Sequence, residues 1–276
     1  SFLDGILYGS KEYAREVGED LNENVYNAMR ILAQGFFDIP ENRLDPSNNH
    51  CLMDVQHNTM RLLYRLLFIL YAEGKGLLSE PSYKDSSYSF FNLKHEIAQK
   101  KDGDQLLLAA SFSYWSRLDE LFRLINNGSE ALGILKAKFY VPAYNGGLFD
   151  TNKNKFLTEK KLSDRALADA IDLLARAQSD DGEKKFVDYS TLGIRHLGSI
   201  YEGLLEYQLQ LATEPMVATG KGLLWLPYQK YSESVKSARS FESFPDDQKA
   251  TVGKLYIATS KGERKSTGSY YTPEHI

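Results

Sequence analysis

The sequence predicts a mainly α-helical protein, with a bundle-like helical domain over 1–213, a few short strands, and a mixed strand-and-turn segment over 214–276. Three observations predict it. Apolar residues recur at three- and four-residue steps through long segments before residue 213, which is the helix period. The breaks between those segments are dense in Pro, Gly, Asn and Asp. After Thr213 the texture changes to short β-branched and aromatic runs set off by glycine turns.

The first element is "KEYAREVGEDLNENVYNAMRILAQGFF", where Tyr13, Val17, Leu21, Val25, Met29 and Leu32 form one helical stripe. "IPENRLDPSNNH" reads as a loop. Next comes "CLMDVQHNTMRLLYRLLFILYAEGKGLL", apolar around most of its circumference from Leu62 to Tyr71, as expected of a central helix, with Gly74 and Gly76 at its C-terminal end. After a second loop, "SFFNLKHEIAQKK" and "DQLLLAASFSYWSRLDELFRLINNG" predict two more helices, the latter ended by Asn-Asn-Gly.

"FYVPAYNGGLFDTNKNKFL" interrupts the helical pattern and predicts a compact loop with short strands. "SDRALADAIDLLARAQ" is a helix with Ser163 as N-cap. "DYSTLGIRHLGSIYEGLLEYQLQLA" is another, its apolar register running through Leu197, Ile200, Leu204 and Leu205. "MVATGKGLLWLPYQ" and "ATVGKLYIATSKGERKSTG" predict strands and turns.

The 276 residues are 42% hydrophobic and 25% charged, ordinary for a soluble globular chain large enough for a sizeable core. A formal net charge of −4 argues against general affinity for nucleic acid and leaves room for a local basic patch. The single cysteine, Cys51, forms no intrachain disulfide and is expected as a small buried hydrophobe, which fits a reducing cytoplasm. The longest apolar stretch is interrupted by Arg65 and Glu73, which excludes a membrane span. Ser1 in place of Met suggests a trimmed fragment or the scar of a removed tag.

Chemistry is sparse. The histidines (His50, His57, His95, His196 and His275) are scattered without metal-ligand spacing, and no Gly-x-Ser-x-Gly elbow or phosphate loop occurs. Asp150, Glu159 and Lys161 come nearest to an Asp…Glu-x-Lys metal nuclease, which needs its triplet on a buried strand. The stretch from Lys221 to Lys265 carries more Lys and Arg than Asp and Glu. Its Lys221, Lys230, Lys236, Arg239, Lys249, Lys254, Lys261, Arg264 and Lys265 are candidates for contact with a DNA backbone, which positions a protein without reading sequence.

The closing "RKSTGSYYTP" resembles motif X, the N-terminal cofactor motif of adenine N6 DNA methyltransferases, and especially of type IIG restriction–modification enzymes and related phage-defence methyltransferases. "RLLFILYAEGKGLL", "YNGGLFD" and "LGSIYEGLLEY" resemble, in order, that family's helix ahead of the methyltransferase, its Gly-Gly turn, and the helix leading into the catalytic domain. The four stretches span about residues 61–276.

The resemblance implies that the 214–276 segment leads into an α/β methyltransferase domain not contained in this chain. It implies S-adenosylmethionine as cofactor of the full-length protein, with Gly268, Tyr270, Tyr271, Thr272 and Pro273 edging part of its site. It implies double-stranded DNA as partner, intramolecular contacts to nuclease and methyltransferase domains, a cytoplasmic location, and Mg2+ only where a nuclease domain lies elsewhere. The family's Gly-rich cofactor loop and Asn-Pro-Pro catalytic loop are absent from these residues, so the chain is expected to methylate nothing by itself, and no catalytic or metal-binding residue is assigned. Two other readings stand beside it: a free-standing helical protein-interaction module, and the metal nuclease at Asp150, Glu159 and Lys161.

Overall fold

The computed structural model describes residues 21–259 apart from 79–80, 85, 137–138, 145, 180–181 and 220–223. The fold is mainly α-helical with a few short antiparallel strands. Two compact units divide the chain. The first takes the residues up to Leu44 together with His57–Ile200; the second takes Asp45–Gln56 and the chain from Tyr201 onward. The change of sequence texture places this division later, after Thr213.

The first unit is helical. Helix α1, described over 21–37, turns Leu21, Val25, Met29 and Leu32 fully inward, as their spacing predicts. Gly35 allows α1 to lie close to residues 162–166: a Cβ there would meet Ala166 Cβ at 2.8 Å and Leu162 Cδ2 at 2.9 Å. A single asparagine fastens the loop after α1. Asn42 donates to Phe36 O (2.8 Å) and Lys161 O (2.9 Å) and accepts from Lys161 N (2.9 Å).

Helix α2 (Asn49–Gly74) buries Leu62, Leu63, Leu66, Ile69 and Leu70. Cys51 lies in its first turns and is only partly buried, because the apolar face begins beyond it. At Gly74 an added Cβ would strike Tyr189 Cβ at 2.9 Å, so the helix ends where another segment crosses it closely. After the short α3 (Pro81–Lys84), α4 (Phe90–Asp102) starts from Ser89, whose hydroxyl accepts from Asn92 N.

Helix α5 (Ser113–Asn127) is shorter than its sequence pattern suggests. The predicted helix included residues 105–112, which form a loop with Leu106 85% exposed. The start is set from fifty residues downstream. The Asp164 carboxylate accepts from Tyr114 N (2.8 Å), Ser113 Oγ (2.7 Å) and Ser111 Oγ (2.6 Å), capping α5 at Ser113. Gly128 ends the helix as predicted.

The stretch 139–154 holds no strand among its described residues, contrary to the sequence reading, and α6 (Lys155–Glu159) comes after it. Side chains shape this loop in place of a ladder. The Asn154 amide donates to the carbonyls of Gly147, Leu148 and Asp150, folding 147–154 into successive turns.

Ser163 caps α7 (Asp164–Ala175) through Ala166 N, as expected. The predicted helix ran on through Gln178, but β1 (Arg176–Gln178) replaces its last turn and pairs antiparallel with β2 (Lys184–Phe186). Helices α4, α5 and α7 pack against one another, and their Ile97, Leu118, Leu124, Leu167, Ile171 and Leu174 are fully buried. Each such side chain contributes about 1.5–3 kcal/mol by leaving water.

Helix α8 (Ile194–Leu205) contributes to both units. It buries Ile200 and Leu204 as predicted, whereas Leu205 is 58% exposed and Leu197 half-buried. The helix stops at Leu205 because "YQLQL" forms β3 (Tyr207–Leu211) in the second unit, paired antiparallel with β7 (Leu255–Thr259). The outer edge of β3 is closed by one side chain: Gln56 donates to Tyr207 O (2.8 Å) and accepts from Leu209 N (2.9 Å), standing in for a neighbouring strand. A second sheet has the order β5-β4-β6, with β4 (Met216–Thr219) between β5 (Leu224–Pro227) and β6 (Lys249–Ala250). Ala212, Met216, Ala250 and Tyr256 form the apolar centre, with Trp225 and Ala258 packed on it. No helix among the described residues is long and apolar enough to cross a membrane.

Candidate nucleic-acid interface

The described basic candidates belong to the second unit. Helix α9 (Tyr228–Ser234) continues directly from β5, and Tyr228 N donates to Pro215 O (2.8 Å), fixing the start of the helix against the strand hairpin. Four rings stiffen the segment after α9. Tyr228 meets Phe241 edge-on at 5.5 Å, Tyr231 meets Phe244 at 5.2 Å, and Tyr228 Oη donates to Arg239 O (3.1 Å). The loop over 235–244 is thereby folded back on α9.

Lys230, on α9, and Lys236 and Arg239, on this loop, are exposed and have no ion-pair partner among the described residues. Lys249 differs. It is partly buried and bound to Asp246 (3.0 Å) and Glu242 O (3.2 Å), so its charge is already committed locally. Lys254 is exposed in the turn leading into β7. Among described positions from 224 to 259 these five cations are offset in the sequence by the four acids Glu233, Glu242, Asp246 and Asp247, so the basic excess of the stretch rests largely on Lys221, Lys261, Arg264 and Lys265. Those four lie outside the described residues, as do Gly268, Tyr270, Tyr271, Thr272 and Pro273. The described part offers three exposed cations on α9 and its aromatic-braced loop, side chains of the type that contacts phosphates.

The nuclease triplet has a different setting from the one its chemistry requires. Glu159 is the exposed last residue of α6, Lys161 is exposed beyond it, and Asp150 lies in the turns before it, with no strand to hold any of them. Among the described residues no three His, Cys, Asp or Glu side chains gather where an ion could sit.

Two stretches far apart in sequence, 65–78 and 144–150, meet in the first unit, a contact invisible to a reading of either alone. Arg65, on α2, is 3% exposed and donates from Nε to Leu148 O (2.8 Å) inside "YNGGLFD". Its guanidinium lies 4.9 Å from the Phe122 ring and 5.6 Å from Phe149, and Phe68 meets Phe149 at 5.5 Å and Tyr144 at 5.9 Å. Nη2 is buried with no hydrogen-bond partner. Burial, reinforced by Arg61 one turn away and opposed by Asp119, pulls the guanidinium pKa down to about 10, so it stays cationic at neutral pH.

Glu73, near the end of the same helix, is a second hub. It accepts from Phe91 N (2.8 Å) and Tyr83 Oη (3.2 Å) and pairs with Lys94 at 3.5 Å, serving as a capping anion for α4. The available signal for both was a charge inside a helix otherwise apolar all round, which demands a buried partner.

No protein-family model, curated protein or solved structure matches the chain.

Proposed function

We propose that this chain is the helical connector of an adenine-specific DNA methyltransferase of the restriction–modification type, non-catalytic by itself, which joins nuclease and methyltransferase domains and touches the DNA backbone. The observation that carries the reading is the contact between "RLLFILYAEGKGLL" and "YNGGLFD". Two stretches, each resembling that family, are joined by the hydrogen bond from Arg65 to the Leu148 carbonyl, 83 residues further on. In the full-length protein S-adenosylmethionine supplies the methyl group. Its expected holders here, Gly268 and Tyr270 to Pro273, lie outside the described residues, and no step is assigned to them.

Lys230, Lys236 and Arg239 are the backbone contacts this reading uses. Duplex binding measured by anisotropy is expected at low ionic strength and to weaken steeply as salt rises. Replacing the three by Glu removes up to three phosphate contacts, which lowers the slope of log K against log salt by about 0.9 per contact. Salt-independent binding, or none at low ionic strength, sinks the DNA-contact part of the proposal. Titrating S-adenosylmethionine into this chain and into a version extended by the downstream coding sequence tests the rest: uptake by the extended chain alone is the expected result.

One observation favours the second reading, a protein-interaction module. Ile194, Tyr201 and Leu205 are 75%, 47% and 58% exposed on α8 and, with Gly198, form a helical stripe.

A further inference from the structure

A second aromatic and cationic cluster lies in the first unit and uses none of the residues assigned above to DNA. Phe91 and His95 are one turn apart on α4, with ring centroids 4.1 Å apart. His95 stacks in turn on Phe186 of β2 at 4.3 Å with 29° between the planes. The imidazole is held in place by a hydrogen bond between Nδ1 and Phe91 O (2.7 Å). Three rings therefore form one column whose orientation is set by a helix and a hairpin.

An apolar anchor for the hairpin would bury Phe186. Instead the ring is 40% exposed, and all of β2 is open to solvent. Cations surround the column. Lys84 Nζ is 5.4 Å from the Phe91 centroid, and Lys94 Nζ is 5.5 Å from Phe91 and 5.9 Å from Phe186. Lys94 is partly neutralised by Glu73 at 3.5 Å. Lys84 is exposed and has no ion-pair partner among the described residues. Phe186, 40% exposed at one end of the column, together with ammonium groups over the Phe91 and Phe186 rings, matches one ligand chemistry: an unpaired nucleobase for the rings and its phosphates for the lysines.

We propose that the Phe91–His95–Phe186 column is a stacking site for an unpaired base of single-stranded nucleic acid, with Lys84 contacting a neighbouring phosphate. Duplex DNA does not fit this site, because its base faces are already covered by their neighbours. The site is thus independent of the Lys230, Lys236 and Arg239 surface, and either can fail without the other.

The test uses the whole chain and labelled oligothymidine, with a duplex of equal length as the second probe. Phe186→Ala is expected to weaken oligothymidine binding about tenfold and leave duplex binding unchanged. Phe186→Trp keeps an aromatic anchor for the hairpin and adds a reporter, so it carries the test even if the alanine variant unfolds. Its added emission is expected to be quenched on saturation with oligothymidine and unaffected by duplex. The proposal is overturned if wild-type chain does not bind oligothymidine, if Phe186→Ala folds and binds it as wild type does, or if the new tryptophan is indifferent to it.

Discussion

Removing the carboxylate of Asp172 is the sharpest test of what holds the first unit together. Both of its oxygens are used: Arg176 Nε donates to Oδ1 (2.6 Å) and Lys184 Nζ to Oδ2 (3.0 Å), with Lys101 at 3.9 Å. The Asp172 and Arg176 side chains are 2% and 4% exposed. Breaking a buried pair from one side costs about 3–5 kcal/mol, because the remaining charge is stranded. Arg176 keeps one other partner, since its Nη1 donates to both Asp102 oxygens at 2.8 and 2.7 Å. That places Asp172→Ala at the lower end, about 3 kcal/mol. At about 2–4 °C per kcal/mol for a unit of this size, the midpoint should fall by about 6–12 °C. Asp102 is 62% exposed, so Asp102→Ala should cost about 1 kcal/mol or less.

The pH dependence gives a second handle on the same residue. Burial alone would raise the Asp172 carboxyl, but the hydrogen bonds and charges of Arg176 and Lys184 outweigh it and hold the group below the usual carboxylate range. A depressed folded pKa is stabilising above the unfolded value of about 3.9, and that stability is lost as pH falls through the folded one. The stability gap between wild type and Asp172→Asn should therefore be widest near neutrality and close below about pH 4. Thermal melts of the three variants at neutral and acid pH decide the matter. A midpoint for Asp172→Ala within a degree or so of wild type, or an Asp102→Ala loss equal to it, would falsify this account of the network.

Two further predictions concern groups on or beside α2. Burial pushes the Glu73 carboxyl up, against the pull of Lys94 and the hydrogen bonds from Phe91 and Tyr83. A raised acid loses stabilisation as pH rises from the unfolded value of about 4.3 through the folded one. The stability difference, wild type minus Glu73→Gln, should thus shrink between acid and neutral pH in urea titrations, and a difference that widens contradicts the assignment. Asn42→Ala removes two donated bonds and one accepted bond inside a site only 2% exposed. A loss of about 2–3 kcal/mol is expected by the same titration, and a loss under about 1 kcal/mol would mean that water replaces the amide.

Much of the helical layer was legible because its signals are local. The period of Leu21, Val25, Met29 and Leu32, the Ser163 cap and the Asn-Asn-Gly stop each act within a few residues. The errors come from partners distant in sequence. "LLEYQLQL" continues a helical register as far as Leu205, yet it alternates polar and apolar residues from Tyr207 on. That alternation wins because β7, forty-odd residues later, offers a ladder from Leu255 to Thr259 and Gln56 closes the other edge. The start of α5 is likewise decided by Asp164, which no window around Ser113 contains.

The candidate basic residues illustrate the same division between residue type and partnership. Sequence identifies Lys249 and Lys236 as equal cations, but an aspartate three residues before Lys249 and the Glu242 carbonyl take its charge, while Lys236 stays open. Phe91 and His95 sit four apart in plain view, yet their column exists only because β2 brings Phe186 to them. Arg65 is the extreme case. A cation in an apolar helix should be expelled or paired, and here it is retained with one carbonyl, two aromatic faces and an orphaned Nη2. A purely stabilising choice at that position would be a long apolar side chain. What the arginine adds is direction: only a donor reaching Leu148 O fixes where the Gly146–Gly147 turn lies against α2. The energetic cost and the positional gain fall on the same side chain, which is the behaviour of a residue retained for geometry and not for stability.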